Sequence, residues 1–346
     1  MSKLRVIQWT TGKIGKMALR GIFDDPRLEL VGVFAHSKDK VGQDAGAICG
    51  RPDCGVKATG DIDALIALGA DAVVYAPFSA DLDHVLKLLE SGCNVISTNL
   101  LSNLGGIVGE VAEKIESACK RGGTSLYITG INPGWLDTLG AVVTPICRRI
   151  QCVSVTECVS VAHYESPETW DAVGMGMATA SPEVTASARG ALTSFRDSVL
   201  RMAEALEFTL DDIEFVVEYA KTPETLDLGW YTIEKGTHAA LRGSWEGKIG
   251  GRTVIRNQVI WYHTRNLSEH WDIDENNYLI DVDGEPGITL RLKVNVPSVW
   301  SHGEHGIVTA MPAVNAVVQV VAAPAGILGL SGAGLPAAPA GLWLGK

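Results

Sequence analysis

Through residues 4–129 short apolar runs alternate with helical stripes, the rhythm of βαβ units. Leu4 to Trp9 reads as a buried strand, and Lys13 to Phe23 as a helix with Ile14, Met17, Ala18 and Ile22 on one face. Further strands are expected at Leu28 to Ala35, Asp71 to Tyr75, Asn94 to Thr98 and Ser125 to Thr129, each rich in Val, Ile or Thr. Helices are expected at Ile62 to Leu68, Ala80 to Ser91 and Gly109 to Arg121. Leu82, Val85, Leu86 and Leu89 form a clear stripe of helical period. Strands joined through helices run parallel, because the crossover returns the chain to the same edge. The expected fold class is α/β, with an N-terminal Rossmann-type doubly wound parallel sheet.

The rhythm changes after Asn132-Pro133-Gly134. Pro133 and Trp135 to Ile150 suggest a helix opened by a proline in its first turn. Gln151 to His163 alternates as a half-buried strand does, and Ser181-Pro182-Glu183 signals a long helix running to Leu206. From Ile213 to Val296 strand-like runs and Gly-rich turns predict antiparallel pairing, so the second region is expected to be α+β. A last helix, Val308 to Val321, is placed to return to the first domain. The expected division is 1–133 for the dinucleotide-binding domain, 134–307 for the α+β substrate domain, 308–328 for the returning helix and 329–346 for a tail.

Composition narrows the function classes. A formal net charge of -11 and the lack of any Lys/Arg run argue against a general nucleic-acid binder. No apolar run reaches the length of a membrane span; Val314 to Leu330, broken by Pro324, reads as a buried helix followed by coil. Seven cysteines without a Cys-x-x-Cys pair, and no secretory signal, point to reduced, buried structural thiols in a cytoplasmic protein.

The chemistry begins at Thr10-Thr11-Gly12-Lys13-Ile14-Gly15, between the first strand and the first helix. A dinucleotide fold puts its phosphate loop there. Gly12 and Gly15 have the spacing needed where the backbone approaches a pyrophosphate and where the helix packs on the strand. Thr10 stands where the usual fingerprint has its first glycine. The second strand ends Phe34-Ala35-His36-Ser37-Lys38, with no carboxylate before Asp39. An acidic residue there would bind the ribose hydroxyls of NAD and repel the 2′-phosphate of NADP. His36, Ser37 and Lys38 offer donors and positive charge instead, which predicts NADP(H) preference with NAD(H) use left open. Ala76 and Pro77, ending another strand, would lie along the cofactor riboses. Asn132 suits either a contact with the nicotinamide or an N-cap ahead of Pro133.

Four segments resemble the dihydrodipicolinate-reductase-like family, which includes 2,4-diaminopentanoate dehydrogenase and the native amine dehydrogenases. They are Gln8-Trp9-Thr10-Thr11-Gly12-x-x-Gly15, Val33-Phe34-Ala35-His36-Ser37, Gly130-Ile131-Asn132-Pro133-Gly134 and Pro312-Ala313-Val314-Asn315-Ala316. The resemblance implies a nicotinamide cofactor in a cleft between a Rossmann domain and an α+β domain that also makes a homodimer. It implies reversible reduction of a C=N or C=O carbon, and it puts Asn315 near the nicotinamide; as a plain reading, Asn315 is an ordinary polar helix residue.

One departure matters. Amine dehydrogenases of this type are expected to carry a glutamate just beyond the fourth strand, where this chain reads Ser97-Thr98-Asn99-Leu100-Leu101. The amide of Asn99 cannot take up a proton at neutral pH, so reductive amination is in question while hydride transfer is not. Other groups for proton transfer are His163, Tyr164 and Glu165, with a hydrogen-bonded structural role as the alternative for His163. Glu157 lies on the same strand, on a side set by register. His302-Gly303-Glu304-His305 lacks the helical spacing of a zinc site, and no metal is expected. An apolar pocket is expected from Trp135, Leu136, Trp170, Met175 and Met177. Three functions fit: an NAD(P)H-dependent reductase of a small, fairly apolar carbonyl or imine, an amine dehydrogenase with a different base, and an NADPH-binding sensor without turnover.

Overall fold

Residues 6–7, 73–74 and 95–96 are successive apolar pairs in which one member faces each side of a sheet covered on both faces. Val6, Val74 and Ile96 join the core on one side, and Ile7, Val73 and Val95 the core on the other. Near-continuous apolar strands of this kind belong to buried parallel sheets. The computed structural model describes residues 2–99, 102–104, 106–274, 277–295, 297, 304, 306–330 and 332–334.

The first half of the chain runs β1 (Leu4–Trp9), α1 (Lys13–Asp24), β2 (Leu28–Phe34), α2 (Ala45–Cys49), β3 (Ala58–Thr59), α3 (Ile62–Ile66) and β4 (Ala72–Tyr75). It continues through α4 (Leu82–Glu90), β5 (Asn94–Ser97), α5 (Gly109–Gly122), β6 (Ser125–Ile128) and α6 (Leu136–Val142). Next come β7 (Arg149–Ser160), α7 (Pro167–Ala172), α8 (Pro182–Ala191), α9 (Thr193–Ala205) and β8 (Asp212–Lys221). The rest comprises β9 (Leu226–Asp227), β10 (Thr232–Ile233), β11 (His238–Ile249), β12 (Arg252–Tyr262), β13 (Tyr278–Glu285) and β14 (Ile288–Leu292), then α10 (Ile307–Val321) and β15 (Gly326–Leu328).

Two compact units result. Met1–Trp135 with Gly303–Lys346 form one, and Leu136–His302 the other. In the first, seven strands lie in the order β15-β6-β5-β4-β1-β2-β3, and each neighbouring pair is parallel. That is the doubly wound Rossmann architecture, with β1 and β4 at the switch point. Helix α10 packs on α1, and its Ala310, Ala313, Val314 and Val317 are buried in the same core. β15 was not foreseen, since the stretch after the last helix reads as coil. It is three residues long and is held by pairing with β6 rather than by its own pattern.

The second unit carries a six-stranded sheet in the order β14-β13-β7-β12-β11-β8. The antiparallel pairing expected from Ile213 to Val296 holds for β8, β11 and β12 and for β13 and β14; β7, which precedes that stretch, pairs parallel with β12, the chain between them crossing back to the same side. Two helix expectations also change. The stretch 135–150 ends its helix at Val142, because Pro145 lacks the amide that would continue it and crowds the carbonyl four residues back. The stretch 181–206 breaks at Leu192, whose carbonyl accepts from Trp245 Nε1 at 2.7 Å and from the Phe195 amide, three residues on, at 3.1 Å.

Candidate functional site

The loop after β1 is built from the sheet outward. Gln8 is fully buried, and its Nε2 donates to the carbonyls of Trp9 at 3.0 Å and Thr10 at 3.1 Å. Thr10 sits in the left-handed region at φ 71°, the conformation a glycine would supply without cost. Its amide donates to the Phe34 carbonyl at 3.0 Å and its Oγ1 to the Ala76 carbonyl at 2.7 Å. These bonds hold a β-branched residue where the fingerprint usually has glycine.

The two remaining glycines do different work. A Cβ on Gly15 would lie 2.2 Å from the Thr10 carbonyl oxygen, so this glycine lets α1 pack against the turn. A Cβ on Gly12 would meet nothing within 4 Å. Gly12 is the N-cap of the twelve-residue α1 and supplies no side-chain cap. Open space at a helix N-terminus is what an anionic phosphate requires.

That space is part of a cavity of about 760 Å³ within the first unit. Thr10, Thr11, Gly12, His36, Ser37, Ala76 and Pro77 all line it, so most of the sequence-derived cofactor residues share one cavity. Lys13, Ile14 and Gly15 continue into the first turn of α1 without lining it, and Ile14 packs on the core instead. Lys38 is exposed and does not line the cavity. Lys40 does, with Nζ 3.2 Å from the Thr11 carbonyl. Sequence reasoning stopped two residues short; the signal was a second cation in the same turn. Phe78, Asp81, Asp83 and His84 also line the cavity. Trp9 stacks on Phe34, with ring centroids 4.2 Å apart.

Asn99 lies beyond β5. Its Nδ2 donates to the carbonyls of Phe78 at 3.0 Å and Pro77 at 3.3 Å, so the amide pins the neighbouring loop. Asn132 does not cap a helix: it is extended, at φ -153° and ψ 117°, and precedes a cis bond to Pro133. The segment it occupies, Ile131–Trp135, is packed by α10. On that helix Asn315 is half-buried, with Oδ1 screened from solvent and accepting no hydrogen bond.

In the second unit His163, Tyr164 and Glu165 are all exposed beyond β7. The Tyr164 carbonyl accepts from Trp170 Nε1 at 2.7 Å, and the Tyr164 ring meets Trp170 edge-on at 5.5 Å. Trp170 and Met175 are buried, whereas Met177 is exposed. Its strand-side backbone is used instead, its carbonyl accepting from the His238 amide at 2.9 Å. Leu136 is fully buried at the head of α6, and Trp135 belongs to the first unit. Glu157 points at β12, where Trp261 Nε1 donates to its Oε1 at 2.8 Å.

Around Trp170 the structure adds a group the sequence did not single out. His263 is buried, 5.3 Å from Trp170 and within about 6 Å of Trp230 and Tyr231 by ring centroids. Neither of its ring nitrogens has a hydrogen-bond partner. Burial pushes its pKa down to about 4, so it is neutral at physiological pH. The neighbouring Tyr231 hydroxyl donates to Asp171 Oδ1 at 2.6 Å, and burial with that carboxylate raises its pKa.

Other features are structural. All seven cysteines are free; Cys49, Cys93, Cys119 and Cys158 are buried, whereas Cys54 is exposed, against the expectation for the set. Burial raises the Cys93 thiol to about 12, which makes it inert. Among the described residues no cluster of His, Cys, Asp or Glu could hold a metal, and no helix is long and apolar enough to cross a membrane. His302, Gly303 and His305 of the sequence motif, and most of the segment 329–346, lie outside the described residues.

Residues 135–343 match the model of the 2,4-diaminopentanoate dehydrogenase C-terminal domain, more than half of the chain. The chain belongs to this family. Residues 6–103 match the dihydrodipicolinate reductase N-terminus, the segment that holds the phosphate loop. Among curated relatives, an amine dehydrogenase from Streptomyces virginiae is 28% identical over 84% of this chain and 85% of its own. The 2,4-diaminopentanoate dehydrogenase of Acetoanaerobium sticklandii is 24% identical over 94% of this chain and 92% of its own. Among solved structures, the amine dehydrogenase from Mycobacterium smegmatis superposes with a TM-score of 0.76 at 19% identity, covering 96% of both chains, and so shares the fold. This diaminopentanoate dehydrogenase family member is an NAD(P)-dependent oxidoreductase acting at C=O or C=N carbon. The resemblance read from the four sequence segments is borne out.

Proposed function

We propose that this protein is an NADPH-preferring reductase of a small, fairly apolar carbonyl or imine compound. The observation that carries the reading is Gly12 at the start of α1, which lines the cavity and where a Cβ would meet nothing within 4 Å. The first amides of that helix would hold the pyrophosphate. The bound dinucleotide would supply hydride to the electrophilic carbon. Lys40, His36 and Ser37 would take the 2′-phosphate, which the absence of a carboxylate at the end of β2 leaves unopposed. Asp81 and Asp83 also line the cavity and set a limit on how strong that preference is.

Support for an apolar substrate comes from the aromatic cluster of Trp170, Trp230 and Tyr231 around a neutral His263. Tyr164, 53% exposed, is proposed as the proton donor for its phenolic hydroxyl. The second unit is also the proposed homodimer contact, which light scattering on the purified chain would test.

A second reading, reductive amination, is favoured by the likeness to the Streptomyces virginiae enzyme. It needs a carboxylate in place of Asn99, and Glu165, exposed beyond β7, is the candidate. Oxidation of NADPH is measured with a panel of ketones and aldehydes, with and without ammonium. Alcohol formed at the same rate in both supports the first reading; amine formed only with ammonium supports the second. No oxidation of either nicotinamide across the panel, with cofactor still bound, would leave a sensor.

A further inference from the structure

A lone exposed apolar side chain on an open surface needs no explanation. Phe78 is a different case. It is 99% exposed, yet it lines the cavity that contains the phosphate loop. The loop that bears it is also fixed from several sides. Thr10 Oγ1 donates to the Ala76 carbonyl at 2.7 Å. Asn99 Nδ2 donates to the carbonyls of Pro77 and Phe78. Asn103 makes a reciprocal pair with Ala80, accepting from its amide at 3.1 Å and donating to its carbonyl at 2.9 Å. The Tyr75 hydroxyl accepts from the Asp81 amide at 3.0 Å. A rigid loop that presents a bare aromatic ring to a ligand cavity is preorganised for a partner with a flat or apolar face.

We propose that Phe78 is a binding residue for the nicotinamide dinucleotide, and that Asn99 is the positioning residue that holds it. The inference rests on the cofactor reading above and extends it. The role of Asn99 follows from its chemistry: both bonds run from an N–H to a backbone carbonyl, and a carboxylate could not make them. The side chain at this point has a mechanical job in this chain that a glutamate could not perform. A loop tip held only by the backbone would let Phe78 sample many positions, and the ordering cost would then fall on cofactor binding.

The test is equilibrium binding of NADPH and of NADH to the full chain, followed by the fluorescence of the reduced nicotinamide and by calorimetry. Phe78→Ala removes a ring that supports nothing in the fold, so its melting temperature should match that of the unaltered protein. Its Kd for both cofactors should rise about tenfold, the loss expected for one partly buried aromatic contact. Asn99→Ala and Asn99→Asp should weaken both cofactors severalfold, and most of that loss should vanish when Phe78 is already alanine. A Phe78→Ala protein that binds both cofactors within about twofold of the unaltered chain overturns the proposal while leaving the cofactor reading intact. Fully additive losses in the double variant overturn the role given to Asn99. Absence of binding by the unaltered chain overturns both the inference and the reading beneath it.

Discussion

Replacing Gly12 and Gly15 separately by alanine should divide cofactor binding from folding. At Gly15 the new methyl group would sit 2.2 Å from the Thr10 carbonyl oxygen, well inside contact distance, and that atom is backbone. Either α1 retreats from the turn or Thr10 leaves its left-handed conformation, which three hydrogen bonds hold. Overpacking of this kind costs roughly 1–3 kcal/mol. At about 2–4 °C per kcal/mol for a body of this size, the melting temperature should fall by several degrees. At Gly12 the added methyl meets nothing within 4 Å. Its φ of -72° suits alanine, and the weaker N-cap preference sets the cost near ~1 kcal/mol or below. The same methyl adds bulk where Gly12 lines the cavity. Gly12→Ala should therefore keep most of its melting temperature and lose at least about tenfold in NADPH affinity, ~1.4 kcal/mol. Thermal unfolding with and without NADPH reads both effects in one series, since bound ligand raises the transition in proportion to its affinity. If Gly12→Ala takes up NADPH as tightly as the unaltered chain, the open face of that residue is not a phosphate cradle and the proposed function falls.

Three further outcomes are expected. Lys40→Ala should lower the ratio of NADPH to NADH affinity by roughly tenfold, as the loss of a charge-assisted bond does, whereas Lys38→Ala should leave the ratio unchanged; equal effects from the two would refute the placement. His263 is held near 4 in the folded chain against 6.5 when free. The unfolded state binds more protons in that window, so stability present above about pH 6.5 should fall by up to roughly 3 kcal/mol as the pH drops toward 4. His263→Leu should flatten that slope in urea titrations at pH 7 and pH 4.5, and an unchanged slope would assign the acid sensitivity elsewhere. Trp245→Phe removes the indole N–H from the Leu192 carbonyl, which keeps its bond from the Phe195 amide; a loss of about 1 kcal/mol is expected from the one hydrogen bond, with no change in cofactor affinity, and an unchanged unfolding midpoint would refute the role given to the indole.

The first unit was readable because its strands are buried on both faces and its turns carry their own chemistry. β1 was expected over the residues it occupies, and α1 within one residue at its end. The turn between β1 and α1 was legible for the same reason: Gly12 and Gly15 follow directly on an apolar run, and Gly15 has no room for a side chain. What the sequence concealed is tertiary. Nothing near Leu192 announces that an indole more than fifty residues later in the chain donates to its carbonyl. Lys38 and Lys40 are alike on paper. The turn that returns Lys40 to Thr11 is closed by its own amide, which donates to the Ser37 carbonyl at 3.0 Å. His263 follows an ordinary strand, and only the approach of Trp170, Trp230 and Tyr231 from elsewhere in the unit makes it a neutral ring in an apolar setting.

The cofactor-binding sheet is completed by a segment translated long after its other strands. β15 joins β6 as the seventh strand, anchored by Gly326 N to the Thr124 carbonyl at 3.0 Å and Ile327 N to Glu116 at 3.0 Å. Nearby, Arg20 on α1 reaches Glu304 at 2.6 Å just ahead of α10. During synthesis, then, the α+β unit has all of its residues before the nucleotide-binding unit does. Until the ribosome has released α10 and β15, one side of the parallel sheet is covered only by α1 and α2 and the outer edge of β6 is open to other chains. Fragments stopped before residue 307 should behave as aggregation-prone intermediates, and a chaperone would meet this protein with its nucleotide half unfinished.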